Sequence, residues 1–347
     1  MNTQTRVLIF RGYSPDKYTG KGQYIEYLFR ECGKRNHIFH TWNPLNYIHP
    51  KSTYLLHGLD IYLLYIPKVL LYVFYYKLIL NENPVIVIDS QENLYLVRCL
   101  GLFDISPDIL IFYDFGSPTG SIRHVGHLLL RCKKIIVMTS IIAKKLIDQL
   151  GASIEEKVQI VPYKVPEEWL KQKTQGITLP KKYILYVGSE QDRKNMFVAL
   201  SAFESLIGKY PDIHFVKVGT HQSQKNRSKL HRLLDQNPKL KSRFILIEDT
   251  SDEELQIIYQ NAHLLLFPSL YEGFGIPLVE AMAKQLPILA TNIPTTQEIC
   301  LDSAEYIEDT SSSGEWSKKI QRFFDDESYY LTMKKRVISR SSTYIEK

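Results

Sequence analysis

Twice along this chain, short aliphatic runs without polar alternation recur between stretches of helical character. The first series is Val7–Phe10, Ile38–Thr41, Val85–Ile88, Ile109–Tyr113, Lys134–Met138 and Gln159–Val161. The second is Tyr183–Val187, Ile213–Val218, Phe244–Ile247, Ala262–Phe267 and Ile288–Ala290. Such runs belong to strands buried on both faces, as happens when helices cover both sides of a parallel sheet. Their alternation with helical segments such as Gln23–Arg35 and Ile141–Gln149 predicts an α/β fold and excludes a β-sandwich or a helical bundle. The polar, Pro-containing segment Lys164–Lys182 interrupts the pattern and reads as a linker. Two open α/β domains are therefore predicted, residues 1–170 and 178–347, joined near residue 175, and 347 residues suffice for two such units. Ligands of these sheets bind beyond the carboxyl ends of the strands, so a cleft between the domains is the expected site.

Composition narrows the function classes. With 44% hydrophobic and 23% charged residues, the chain is neither disordered nor a disulfide scaffold. Cys32, Cys99, Cys132 and Cys300 form no C-x-x-C pair, so metal and redox chemistry have little support and no cofactor is expected. The formal charge is +6, and the whole excess lies within residues 1–150. Nucleic-acid binders concentrate far more basic charge, whereas this excess suits an anionic small substrate or a membrane surface. Met1–Phe10 has no long apolar region and runs into a strand, so a cleaved secretory signal is not expected and a cytoplasmic location is.

Ile61–Leu80 approaches the length of a bilayer span but contains Pro67, Lys68 and Lys77, and a central lysine is costly in lipid. A buried helix fits better. So does an interfacial face carrying Tyr62, Tyr65, Tyr72, Tyr75 and Tyr76. Arg123, Arg131, Lys133, Lys134, Lys144 and Lys145 read as a cationic helix face, either solvated or set toward anionic lipid.

The richest chemistry lies in Pro268–Cys300. A strand delivers a loop holding Glu272, Gly273, Phe274 and Gly275, Pro277 suits the first helical position, and Glu280 is expected in the opening turn. Glycines admit close backbone approach, and the amides around Phe274–Ile276 at the helix start form an anion site. Alternatively, Glu280 complements the helix dipole and Glu272 is solvated. A second constellation follows Tyr183–Val187. Gly188 and Ser189 lead to Arg193 and Lys194, and Asn195 is expected to cap the next helix. Two cations there can neutralise a diphosphate, or form a solvated turn. In the first domain Gly20 and Gly22 make a glycine loop before a helix, without the G-x-G-x-x-G spacing of a nicotinamide site. Tyr113 and Asp114 end a strand there. Asp114-Phe115-Gly116 mimics a kinase triplet, but no H-R-D loop accompanies it.

Taken together, these segments resemble the retaining glycosyltransferases of family four, which have the two-Rossmann GT-B fold. Glu272 and Glu280, in E-G-F-G-I-P-L-V-E-A-M-A, are similar to the family's E-x7-E signature. Ser251–Tyr259 resembles its S-x-E-E-L-x-x-L-Y helix, whose start has an independent capping box in Ser251 and Glu254, and Ala262–Ser269 resembles A-D-x-x-x-x-P-S. The resemblance implies two Rossmann-like domains facing across a cleft, with an acceptor-binding first domain and a donor-binding second. It implies transfer of a hexose from a UDP- or GDP-linked sugar to a glycan or lipid-linked acceptor. By the same resemblance Arg193 and Lys194 bind the diphosphate, Glu272 holds donor-sugar hydroxyls and Glu280 the ribose. The Gly20/Gly22 loop would face donor phosphate and acceptor. The absence of a D-x-D motif agrees with a metal-independent site.

Three departures stand out. Tyr113 replaces the family's histidine near the donor sugar, although a phenol can still donate a hydrogen bond. Gln285 stands where glycine usually follows the helix, at a position that favours left-handed backbone. Ser342–Lys347 resembles only the beginning of the family's last helix. A catalytically silent nucleotide-sugar-binding subunit is the competing reading. An epimerase or an inverting transferase on the same fold is disfavoured by the acidic pair.

Overall fold

The structure, a computed structural model, describes residues 6–10, 23–24, 27–28, 38–42, 70–71, 73–74, 85–88, 91, 94–116, 119–173 and 176–346. The chain divides into two compact units, Met1–Pro162 and Tyr163–Lys347.

The first unit holds a six-stranded sheet of β1 (Arg6–Phe10), β2 (Ile38–Trp42), β3 (Val85–Ile88), β4 (Ile109–Ile111), β5 (Lys134–Val137) and β6 (Val158–Ile160). The order is β2-β1-β3-β4-β5-β6 and all pairs are parallel. Ile86, Ile88, Leu110, Phe112, Ile135 and Val137 pack with helices α1 (Leu94–Gly101) and α2 (Ser140–Leu150) into one core. Thr139 starts α2, its hydroxyl accepting from the amide of Ile142 at 3.3 Å, which satisfies one of the open donors of the first turn. Of the predicted Gln23–Arg35 helix, residues 23–24 and 27–28 are helical, and the rest lies outside the described residues. Most of Ile61–Leu80 lies outside them too. Among the described residues, no helix is long and apolar enough to cross a membrane.

The second unit contains β7 (Tyr183–Val187), β8 (His214–Val218), β9 (Phe244–Ile247), β10 (Leu264–Phe267), β11 (Ile288–Thr291) and β12 (Ala304–Ile307), parallel throughout, in the order β12-β11-β10-β7-β8-β9. Its longer helices are α3 (Met196–Leu206), α4 (Gln224–Gln236), α5 (Asp252–Asn261), α6 (Ile276–Ala283), α7 (Pro294–Cys300), α8 (Ser313–Asp325) and α9 (Glu327–Ser341). The strand order reverses between β7 and β10. That is the switch point at which open α/β sheets leave room for a ligand. Tyr186, Phe203, Phe215, Leu266, Leu289 and Trp316 build the core. The capping box on α5 forms as predicted, with Ser251 and Glu254 exchanging bonds.

The break between units falls upstream of the predicted linker. Val165 pairs in parallel with Ile345, its amide bonding Tyr344 O at 2.8 Å. Trp169 is buried against Tyr259, and Gln260 exchanges two hydrogen bonds with the backbone of Lys173. The polar run thus belongs to the second unit, because its few apolar residues have a surface to bury against. Strand β12 and helices α8 and α9 have no counterpart among the predicted elements. The four residues of β12, Ala-Glu-Tyr-Ile, lie at the sheet edge and lack the continuous aliphatic signal of a central strand.

Candidate active site

Two loops leave the carboxyl ends of the central strands β7 and β10 and meet. Residues 188–195 follow β7. Gly188 continues the ladder, donating to Val218 O at 2.9 Å, and the Tyr186 hydroxyl bonds Ser189 O at 2.7 Å. A single 3-10 turn, Asp192–Lys194, then presents Arg193 and Lys194. Asn195 occupies the N-cap position of α3 but does not cap it through its side chain, contrary to the expectation from sequence. Its backbone is left-handed (φ 47°, ψ 32°) and its amide Nδ2 donates to Thr310 O at 2.9 Å. Leaving the tight turn demands positive φ, which asparagine tolerates.

Residues 268–275 follow β10. The Leu270 amide bonds Arg193 O at 2.7 Å and ties the two loops directly. Gly275 has φ +97°, and a Cβ there would stand 2.9 Å from Leu278 Cδ1 and 3.2 Å from the Phe267 ring. Only glycine suits this entry to α6. Phe274 is buried, edge-on to Tyr163 and Tyr344, and Ile276 and Pro277 open the helix.

Glu272 is the centre of the junction. Its carboxylate is buried, accepting from Lys194 Nζ at 2.5 Å and from Arg193 Nη1 at 3.1 Å, and Arg193 also donates to Tyr271 O at 3.3 Å. Burial alone would raise its pKa. The charges of Lys194 and Arg193, with hydrogen bonds from Lys194 and Ser269, outweigh burial and hold the carboxyl below its ordinary value. Thr295 Oγ1, from α7, donates to Glu272 O at 2.8 Å. Two cations on one carboxylate leave a local surplus of positive charge, beside the opening turn of α6 with its oriented amides.

Glu280 does not lie in the first turn of α6, where the sequence suggests it, but one turn deeper. It is buried, and Tyr259 of α5 donates its hydroxyl to Oε2 at 2.6 Å. Its carboxylate is a fixed, buried acceptor, one turn beyond the first turn in which the helix dipole acts most strongly. Thr295 carries no sequence signal that marks it as a site residue, whereas Ser269, Tyr259 and Tyr186 lie in the segments Ala262–Ser269, Ser251–Tyr259 and Tyr183–Val187 that the sequence singles out, without a role of their own. That the Ser269 hydroxyl bonds Glu272 and the Tyr259 hydroxyl bonds Glu280 follows only from the fold.

In the first unit, the Tyr113 amide bonds Gln91 Oε1 at 3.0 Å, the Tyr113 ring stands edge-on to Tyr24, and Tyr24 donates to Val161 O at 2.6 Å. The Asp114 carboxylate accepts from the Gly116 amide at 2.6 Å, closing an Asx-turn with Gly116 at φ +74°. This turn accounts for the kinase-like triplet. Gly20 and Gly22 lie outside the described residues. The basic residues do not share a helix face. Arg131 reaches Gly101 O, Lys133 pairs with Asp108 at 2.7 Å, Lys134 starts β5 and Lys145 covers the Phe115 ring. Among the described residues, no three His, Cys, Asp or Glu side chains are grouped to hold a metal.

Comparison with known proteins places this geometry. The model of the family described as glycosyl transferases group 1 matches residues 167–340. The serotype-specific mannosyltransferase WbdA of Escherichia coli is 34% identical over 122 residues, 35% of this chain and 15% of that protein. The O-antigen chain mannosyltransferase RfbU of Salmonella typhimurium is 40% identical over 68 residues, 20% of this chain and 19% of that protein. The chain thus aligns with less than a fifth of either relative. Anabaena HepE, solved in complex with UDP and glucose, superposes with a TM-score of 0.76 at 14% identity over 98% of this chain and 95% of its own, which shows a GT-B fold. The matched span holds all six strands of the second sheet and both loops that meet at Glu272, and the chain belongs to the glycosyl transferases group 1.

Proposed function

We propose that this chain is a retaining hexosyltransferase that moves a sugar from a nucleoside diphosphate to a glycan or lipid-linked acceptor without a metal ion. The observation that carries the reading is the convergence of Arg193 and Lys194 on buried Glu272 at the switch point of the second sheet. Departure of the nucleotide leaves negative charge on its diphosphate as the sugar becomes oxocarbenium-like. Arg193, Lys194 and the opening amides of α6 neutralise that charge, so preorganised electrostatics supply the main catalytic effect. Glu272 then exchanges part of its ion pairing for hydroxyls of the donor sugar, and Glu280, braced by Tyr259, accepts from the ribose. The leaving phosphate takes the acceptor proton on the face where the new bond forms, which removes the need for a protein nucleophile.

The mannosyltransferases WbdA and RfbU support a mannosyl donor and an acceptor in bacterial polysaccharide assembly, and HepE, also solved in complex with UDP-glucose, keeps a glucosyl donor in view. The proposed setting is cytoplasmic and peripheral to an anionic membrane. Leu71, Leu102 and Phe103 support it, exposed apolar side chains of the first unit near the Phe74–Phe103 contact. The test is release of nucleoside diphosphate from GDP-mannose and UDP-glucose, with and without EDTA, by the unchanged chain and by Glu272→Ala and Lys194→Ala. Turnover that persists in EDTA and collapses in both variants is expected. Unchanged turnover in both sinks the site assignment, and tight donor binding without turnover of any donor favours the silent-subunit reading.

A further inference from the structure

Behind the loop that carries Arg193 and Lys194 lies a second group of charges that the proposed reaction does not use. Glu190 is 1% exposed. Its Oε1 accepts from Lys217 Nζ at 2.8 Å and from Arg227 Nη2 at 2.7 Å, and the same Arg227 nitrogen reaches Glu248 at 2.9 Å. Lys217, the penultimate residue of β8, also donates to Gly219 O. Asn226, in the first turn of α4, spends both amide hydrogens on the loop, donating to Glu190 O at 2.6 Å and to Asp192 Oδ1 at 2.7 Å. Glu190 Oε2 and Arg227 Nε are buried without a protein partner among the described residues.

The arrangement has a front and a back. Glu272 gathers Arg193 and Lys194 on one side of the loop, and Asn226 and Arg227 hold Glu190 and Asp192 on the other. Asp192 opens the 3-10 turn whose next two residues are the cations, and its carbonyl accepts from the Asn195 amide at 3.1 Å. A clamp on Asp192 and Glu190 therefore sets the direction in which Arg193 and Lys194 leave the backbone. Burying a carboxylate with two cations is not an efficient source of stability, because desolvation offsets the attraction. Fixing geometry is what such a network does well.

We propose that Asn226 and Arg227 are positioning residues for anion binding: by holding Glu190 and Asp192 from behind, they fix the turn that presents Arg193 and Lys194 to a diphosphate. The proposal rests on the donor-site reading above and adds to it a part of the protein, the start of α4, that lies outside the two loops carrying Arg193, Lys194 and Glu272. Cations held in place before binding lose little freedom when the anion arrives, whereas the same side chains on a loose turn must be ordered by the ligand.

The test compares the unchanged chain with Asn226→Ala and with Asp192→Ala, the latter at an exposed position that leaves the core intact. Two readouts are taken: amide hydrogen exchange without ligand, and affinity for pyrophosphate, UDP and GDP against uridine and guanosine. Exchange at Lys194, Asn195 and Leu270 is expected to rise about tenfold in both variants, with β7 and β8 unchanged, and affinity for the phosphate-bearing ligands to fall about tenfold with nucleoside affinity unchanged. Exchange like that of the unchanged chain overturns the clamp. Loosened amides with undiminished diphosphate affinity overturn its positioning role and leave a purely structural one. Should the unchanged chain bind none of these ligands, the donor-site reading itself falls, and the exchange measurement still decides whether α4 sets the turn.

Discussion

Lys194 Nζ lies 2.5 Å from Oε1 of Glu272, across 78 residues of sequence, and the pair is enclosed at the junction of two loops that begin on adjacent strands. Because Glu272 is held below its ordinary pKa, the bound protons of the unfolded chain exceed those of the folded chain as pH falls through the usual carboxylate range. The stability this carboxylate contributes is present above about pH 4.5 and is lost as pH falls through its lowered folded value. Urea midpoints measured from pH 7 to pH 3 are expected to fall less steeply at the acid end in Glu272→Gln. Lys194→Ala, which leaves Glu272 with Arg193, is expected to cost about 2 kcal/mol at pH 7.

The bond from Tyr259 to Glu280 links α5 to α6 in the interior. Tyr259→Phe is expected to cost about 1 kcal/mol of stability. If Glu280 receives ribose hydroxyls, Glu280→Gln weakens binding of a ribonucleoside diphosphate about tenfold while barely changing that of its 2′,3′-dideoxy counterpart. Titration calorimetry with both nucleotides separates this outcome from a general loss of the pocket, in which both affinities fall together.

Gln285 closes α6 with φ +57°. Its amide bonds Met282 O at 3.0 Å and the Leu286 amide bonds Ala281 O at 2.9 Å, the two hydrogen bonds of a Schellman ending. Left-handed backbone at a residue with a Cβ costs about 1 kcal/mol. Gln285→Gly is expected to recover about that much in chemical denaturation without altering turnover, and a decrease in stability counts against strain at this position.

His263 is packed between Phe324 and Tyr330, with Nε2 at 3.1 Å from Phe323 O. Burial lowers its pKa, opposed by the Phe323 carbonyl and aided by Lys182 and Lys334. The neutral ring is the folded form, so its contribution is complete above about pH 6.5 and is lost as pH falls through that value toward the lower folded pKa. Thermal melts between pH 8 and pH 5 are expected to show this decline, and His263→Phe removes it. An identical slope in the variant assigns the decline to other groups.

Much of the architecture is legible in residue order. Among the described residues the aliphatic runs mark eleven of twelve strands within a residue or two, since a strand buried on both faces carries its own local signature. Ser251 and Glu254 announce the start of α5, because capping is decided over a few residues. These features depend on chemistry that neighbours in sequence supply to one another.

What only the tertiary structure decides is which distant segments meet. No local pattern states that β7 lies beside β10, and that adjacency alone sets Arg193 and Lys194 on Glu272. Nor does it show that Asn226 grips the same loop from behind, that Glu280 turns inward to Tyr259, or that the polar segment after Pro162 docks on the second unit through Val165 and Trp169. In a parallel sheet every neighbour is brought in by a crossover, so strand order is settled by how helices cover the two faces and bury them together. Periodicity in the sequence tells each segment what to become; burial across the finished sheet determines what it touches.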